Sequence, residues 1–249
     1  MKIDFMKKSE PRISVIIPNT SKDFLAHHRK ELSGEFPDVE VTCLDKGPDS
    51  VESFIDEVDA GLQLAKLVKD AEKKGFDAVV VSCFTNPALN ALREIVSIPV
   101  IGAGEAALYV AASLGDRIGI LSVLKETNPV VRHMVRGLGL EGRVITIRDV
   151  GIPVLGLSHG ERVEEQIFEA CLKAINEDGA EVLVLGCTGM VGLSDRLQEK
   201  LKAKGYEVPV VDPIRSAIYW AKMLVRLGLR QSRISYPHPL AKKRRLDSE

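Results

Sequence analysis

Two cysteines in this 249-residue chain stand where a strand should end and a turn begin. Cys83 follows Phe76-Asp77-Ala78-Val79-Val80-Val81 and lies in the turn Ser82-Cys83-Phe84-Thr85-Asn86-Pro87. Cys187 follows Val182-Leu183-Val184-Leu185 and lies in Gly186-Cys187-Thr188-Gly189. Short continuous apolar runs rich in leucine and β-branched residues are the pattern of strands buried on both faces of a parallel sheet. Ligands of open α/β sheets bind beyond the carboxyl ends of the strands, so both thiols occupy candidate reaction sites. A thiol is a base only as thiolate, and at an ordinary pKa of about 8.5 only a few per cent is ionised at neutrality. Helices expected near 87–95 and 192–203 would help, because a helix N-terminus favours the anion. One thiolate and one thiol on opposite sides of a carbon acid form an acid–base pair: the first removes a proton and the second delivers one to the other face. Such a pair inverts a stereocentre without a cofactor.

Facing thiols require elements that bring them together, and the chain carries an internal repeat suited to that. The strand beginning at Arg12 starts 71 positions before Cys83, and the strand beginning at Arg117 starts 70 before Cys187. Downstream, Ile98-Pro99-Val100-Ile101 is matched by Val208-Pro209-Val210-Val211, each leading into a helix. A duplication of this size predicts two similar α/β lobes, each a mainly parallel sheet flanked by helices. A pseudo-twofold axis would then place the cysteines across a cleft. The expected division is 11–100 plus 213–230 for the first lobe and 101–212 for the second, with 1–10 and 231–249 as peripheral termini. Strands at 12–17, 39–44, 117–123, 143–148, 182–187 and 208–211 alternate with helices at 22–33, 104–114, 129–138, 161–177, 192–204 and 213–227. Ahead of the Cys83 strand, Leu64, Leu67, Val68 and Ala71 repeat at helical spacing, and Gly75 supplies the stop.

Composition narrows the function classes. At 45% hydrophobic residues the chain can bury a large core, and a net charge of −1 offers no general attraction to nucleic acid or an anionic membrane. No apolar run reaches transmembrane length and the first eight residues lack a signal-peptide core, so a cytoplasmic protein acting on a small molecule is expected. The four cysteines, at 43, 83, 171 and 187, show neither CxxC nor Cys/His metal spacing, so no metal or other cofactor is expected. Cys171 shares a helical face with Ile167, Phe168, Leu172 and Ile175, and Cys43 falls in an alternating strand pattern; both read as core. Around the two remaining thiols the candidate substrate-binding residues are Asn19, Ser21, Thr85, Asn86, Thr188 and Gly189, whose amides and hydroxyls could hold a carbonyl and its developing enolate charge. Asn19 and Ser21 read equally well as the cap of the helix at 22–33. His159 is the histidine whose loop could reach the cleft, although a surface position accounts for it too. The basic run Lys242-Lys243-Arg244-Arg245 reads as a solvated terminus. The small-residue helix 104–114 and the helix bearing Ile218, Tyr219, Trp220 and Met223 suggest a homo-oligomer.

Taken together these motifs resemble the aspartate/glutamate racemase superfamily, and within it the hydantoin racemase branch that includes allantoin racemases. The resemblance rests on Pro18-Asn19-Thr20-Ser21, Gly47 to Ser53, Ser82-Cys83-Phe84 with Leu92-Arg93-Glu94, Pro99 to Gly102 with Glu105-Ala106-Ala107, Glu177 to Glu181, and Leu185 to Met190. It covers most of the chain in order. It implies a cofactor-independent racemase or epimerase with Cys83 and Cys187 as the catalytic pair and a hydantoin- or allantoin-like substrate. Thr85-Asn86 departs from the branch, which has a small residue and an acid there. Gly189 stands where amino-acid racemases of the superfamily carry an acid. An aspartate or glutamate racemase, and a non-catalytic small-molecule-binding protein of the same fold, remain as alternatives.

Overall fold

The computed structural model describes residues 10–157 and 160–243; His159, Arg244 and Arg245 lie outside them. The first half runs β1 (Ile13–Ile17), α1 (Lys22–Ser33), β2 (Val39–Cys43), α2 (Phe54–Lys73), β3 (Ala78–Val81), α3 (Leu89–Ile95), β4 (Val100–Gly102) and α4 (Ala103–Leu114). The second runs β5 (Ile118–Ser122), α5 (Asn128–Gly137), β6 (Val144–Asp149), α6 (Gly160–Asn176), β7 (Val182–Leu185), α7 (Ser194–Ala203), β8 (Val210–Val211) and α8 (Pro213–Leu227). The strands form two parallel four-stranded sheets, ordered β2-β1-β3-β4 and β6-β5-β7-β8. The two orders are the same when the halves are superposed in sequence, so β3 and β7 occupy equivalent slots. The central strands β1, β3, β5 and β7 are buried along their whole length, as their continuous apolar runs require. Among the described residues no helix is long and apolar enough to cross a membrane.

The halves are joined by an exchange of helices. α4 leaves the first sheet yet packs on β7, while α8 leaves the second sheet yet packs on β3 and β4, and the two helices lie against each other. Ala106, Ala107 and Ala111 of α4 and Ala217 and Ala221 of α8 are buried, their short side chains allowing close approach. The small-residue face expected to serve assembly is therefore spent inside the chain, whereas Tyr219, Met223 and Leu227 on α8 stay exposed. At the start of α4, a Cβ on Gly104 would collide with the carbonyl oxygen of Phe84. Only glycine lets this helix seat directly on the turn that follows Cys83. α8 begins at Asp212, whose Oδ1 accepts the Ile214 and Arg215 amides at 2.9 and 3.0 Å, and ends at Gly228 with φ 68°.

Candidate active site

The thiols leave their sheets at matching points. Ser82 N–H donates to the Ile16 carbonyl and Gly186 N–H to the Leu121 carbonyl, each at 2.8 Å, and one residue later come Cys83 and Cys187. A Cβ on Gly186 would lie 2.6 Å from that same Leu121 oxygen, so glycine holds the turn tight against β5. Both cysteines line one cavity of about 30 Å³, together with Asn19, Phe24, Thr85, Thr127, Val154 and Thr188. They are close enough that charge on Cys83 raises the pKa of Cys187.

Burial governs their acidity. It pushes the Cys83 thiol up to about 11, against the lowering effect of the Thr85 hydroxyl, and Cys187 up to about 12, against the Gly189 N–H. The expected help from helix N-termini does not materialise. α3 starts only at Leu89, after Asn86 and Ala88 in left-handed conformations with φ 58° and 56°, and α7 starts only at Ser194. A single 3-10 turn, Thr188–Met190, follows Cys187 directly, and its Gly189 N–H donates to Cys187 Sγ at 3.4 Å.

The candidate binding residues divide. Asn19, Thr85 and Thr188 line the thiol cavity. Asn19 Oδ1 accepts the Ser21 amide at 3.1 Å, Thr85 Oγ1 lies 3.5 Å from Cys83 Sγ, and the Thr188 hydroxyl donates to the Ser82 carbonyl at 3.1 Å. That last bond ties the two thiol-bearing turns together. Ser21 instead caps α1, its Oγ accepting the Phe24 amide at 3.2 Å. Asn86 is turned away from the thiols: its Oδ1 accepts the Gly104 and Glu105 amides at 3.1 and 3.4 Å, satisfying the free donors at the start of α4. Gly189 packs on Phe24, where a Cβ would come within 2.7 Å of the ring. Asn86, with Thr85, borders a second cavity of about 520 Å³ between α2, α3, α4 and α5. There the Arg93 guanidinium forms a buried fork with Glu105 and contacts the Tyr236 hydroxyl at 3.2 Å.

Several groups at the site escape a reading of sequence. Ser82 Oγ and Thr127 Oγ1 border the thiol cavity, are buried and have no hydrogen-bond partner among the described residues, which leaves two hydroxyls to engage a polar ligand. Glu52 Oε1 accepts the Val154 amide at 2.8 Å, fastening the second half's loop beside the thiols, and its charge raises Cys187 further. In the sequence Glu52 is absorbed into the turn and helix start around it, and nothing local marks a partner 102 residues away. Among the described residues no group of three or more His, Cys, Asp or Glu side chains is arranged to hold a metal ion.

This fold and this pair of strand-end thiols define a class. A model of the Asp/Glu/Hydantoin racemase family matches residues 13–220. The chain belongs to that family and is a racemase, an isomerase. It is 36% identical to a hydantoin racemase of Rhizobium meliloti over 197 residues, covering 78% of this chain and 80% of that protein. It is 32% identical to a hydantoin racemase of Paenarthrobacter aurescens over 238 residues, 93% of this chain and 99% of that one. An allantoin racemase structure from Klebsiella pneumoniae superposes with a TM-score of 0.86 at 31% identity, covering 96% and 98% of the two chains.

Proposed function

We propose that the chain racemises a hydantoin- or allantoin-like carbon acid by two-base proton transfer between Cys83 and Cys187. The observation that carries this is the arrival of two cysteines, from equivalent points of two equivalent sheets, in one small cavity. One thiolate takes the proton from the carbon next to a carbonyl, and the opposing thiol protonates the other face. The unpartnered hydroxyls of Ser82 and Thr127 and the side chain of Asn19 hold the carbonyl and stabilise the enolate as charge develops. The names of the most similar relatives favour a ring imide or ureide over an α-amino acid. A cavity of about 30 Å³ holds about one water molecule, whereas ligand sites run to several hundred Å³, so the walls separate to admit substrate. The expected lobes, 11–100 with 213–230 and 101–212, are the natural bodies for that movement. β4, however, keeps the first sheet going through Gly102. We further infer a cytoplasmic homo-oligomer formed through the exposed part of α8; a monomer by light scattering at micromolar concentration refutes that assembly.

Polarimetry on substituted hydantoins, allantoin, aspartate and glutamate identifies the substrate. Cys83→Ser and Cys187→Ser should each nearly abolish racemisation in both directions, because serine is far too weak an acid to stand in. In heavy water each variant should still exchange the one enantiomer whose C–H faces its remaining thiol. Wild-type activity in either variant refutes the two-base scheme.

A further inference from the structure

Each turnover swaps the protonation states of the two thiols. Before a second molecule of the same enantiomer can react, the thiol that took a proton must lose it. The thiol cavity is nearly closed, so the route by which that proton leaves is a structural question.

Cys83 has a neighbour that reaches beyond the cavity. Thr85 is buried, sits 3.5 Å from Cys83 Sγ and borders both the thiol cavity and the 520 Å³ cavity behind it. Glu57, in the first turns of α2, is a half-buried carboxyl on the wall of that second cavity, which Thr85 also lines. Its Oε1 is buried and makes no hydrogen bond among the described residues. Burial raises the pKa of Glu57, while the Thr85 hydroxyl and the charge of His133 hold it down. Phe54 and Tyr109 on the rim of the second cavity are 47% and 40% exposed, so solvent reaches it. Beside Cys187 the neighbouring hydroxyl, on Thr188, is spent on the Ser82 carbonyl.

We propose that Thr85 and Glu57 form a one-sided proton relay that connects Cys83, but not Cys187, to water in the second cavity. The Cys83 S–H gives its proton to Thr85 Oγ1 as the Thr85 hydroxyl proton passes to Glu57. The resulting carboxylic acid releases it to water, leaving Cys83 thiolate, Thr85 neutral and Glu57 a carboxylate again. Glu57 is a positioning residue here, since it touches substrate only through Cys83. The inference rests on the two-thiol reading of the function.

The test compares the enantiomers in heavy water. During racemisation of the enantiomer that Cys83 deprotonates, wild type should wash deuterium into the remaining substrate, because the abstracted proton escapes through the relay before it returns. Glu57→Gln and Thr85→Val should lower that incorporation, relative to racemisation, by about tenfold or more, within the range of one lost proton-transfer group. Thr85→Ser should restore it, and in Glu57→Gln, which lies outside the thiol cavity, exchange of the opposite enantiomer should be unchanged. Equal loss for both enantiomers, as a merely structural defect would give, overturns the relay, and so does no loss. A wild type that racemises none of the panel refutes the function instead. In that case alkylation of Cys83 at fixed pH still decides the link. Thr85→Val should slow it about fivefold, the worth of one hydrogen bond, and Glu57→Gln should speed it by removing a nearby negative charge. Unchanged rates in both variants overturn the relay.

Discussion

The pH dependence of kcat/KM measures how far burial has silenced the two thiols. In the proposed two-thiol mechanism the free enzyme is reactive when one thiol of the pair is ionised, and the lower of the two values is the Cys83 thiol at about 11. Because the thiols interact, the profile reports the pair rather than either residue. With a substrate that does not itself titrate, kcat/KM should climb about tenfold per pH unit from pH 7 to pH 10, about a thousandfold in all. Thiols at their ordinary pKa of about 8.5 would instead give a rise of about thirtyfold that levels off above pH 9. Initial rates by polarimetry below KM distinguish the two, and a plateau by pH 9 refutes the claim that desolvation dominates. Folding must be followed over the same range. Cys83, Cys171 and Cys187, the last two pushed up to about 12, keep their protons in the fold well beyond the pH at which the unfolded chain loses them. Between those limits the folded state binds more protons, so stability is full below the unfolded pKa and falls as pH rises towards 11 and 12. At pH 10 the three thiols together cost about 6 kcal/mol, visible as a lower urea midpoint than at pH 8.

Thr188→Val should cost about 1–3 kcal/mol by urea titration, since it leaves the Ser82 carbonyl without its donor, and should lower kcat more than it raises KM because the two thiol turns lose their tie. Arg93→Met or Glu105→Leu alone strands a buried charge between α3 and α4 and should cost about 3–5 kcal/mol, while the double variant should recover much of that; equal costs would show the pair to be solvated. Asp212 is fully buried and pushed up to about 6 by desolvation, so its favourable protonated form is present below its unfolded pKa and lost as pH rises through 6. Asp212→Asn keeps a cap acceptor and should therefore stabilise the protein by up to about 3 kcal/mol at pH 7.5 and little at pH 4, and a loss of stability at both pH values would refute that reading.

The duplication was legible because each buried strand is a continuous apolar run and each thiol stands just past one. Periodicity speaks directly to such features. Strand ends were less so: the expected strand 182–187 stops pairing at Leu185, because Gly186 and Cys187 bend away after the bond to Leu121. The expected lobes assign 213–230 to the first half and 104–114 to the second, although the spacing of Ala106, Ala107 and Ala111 alone does not say which sheet they meet. Asn86 illustrates the same limit. Its side chain satisfies amides 18 and 19 residues away, so a residue chosen for its polarity proves to be a through-space helix cap. Glu57 is one more acid on a helix until the fold sets it on the wall of a cavity that Thr85 also lines. The acidity of the thiols follows from a related fact: local helix starts argue for thiolates, but the cavity that holds both thiols is walled by residues from both halves, such as Phe24 and Val154.

The scaffold is near-symmetric and the site is not. Cys83 meets Thr85 and Glu57, whereas Cys187 meets the Gly189 N–H and Glu52. Enantiomers have equal free energies in solution, so a racemase must have equal kcat/KM in both directions however unequal its two bases are. The unequal surroundings can therefore appear only where kcat and KM change together. The direction whose bound state has the anion on the more stabilised thiol binds its substrate more tightly and turns it over more slowly, in the same proportion. A duplicated fold supplies the facing geometry that inversion needs. In the proposed two-thiol mechanism, the residues not shared by its halves decide how quickly each thiol is made ready again.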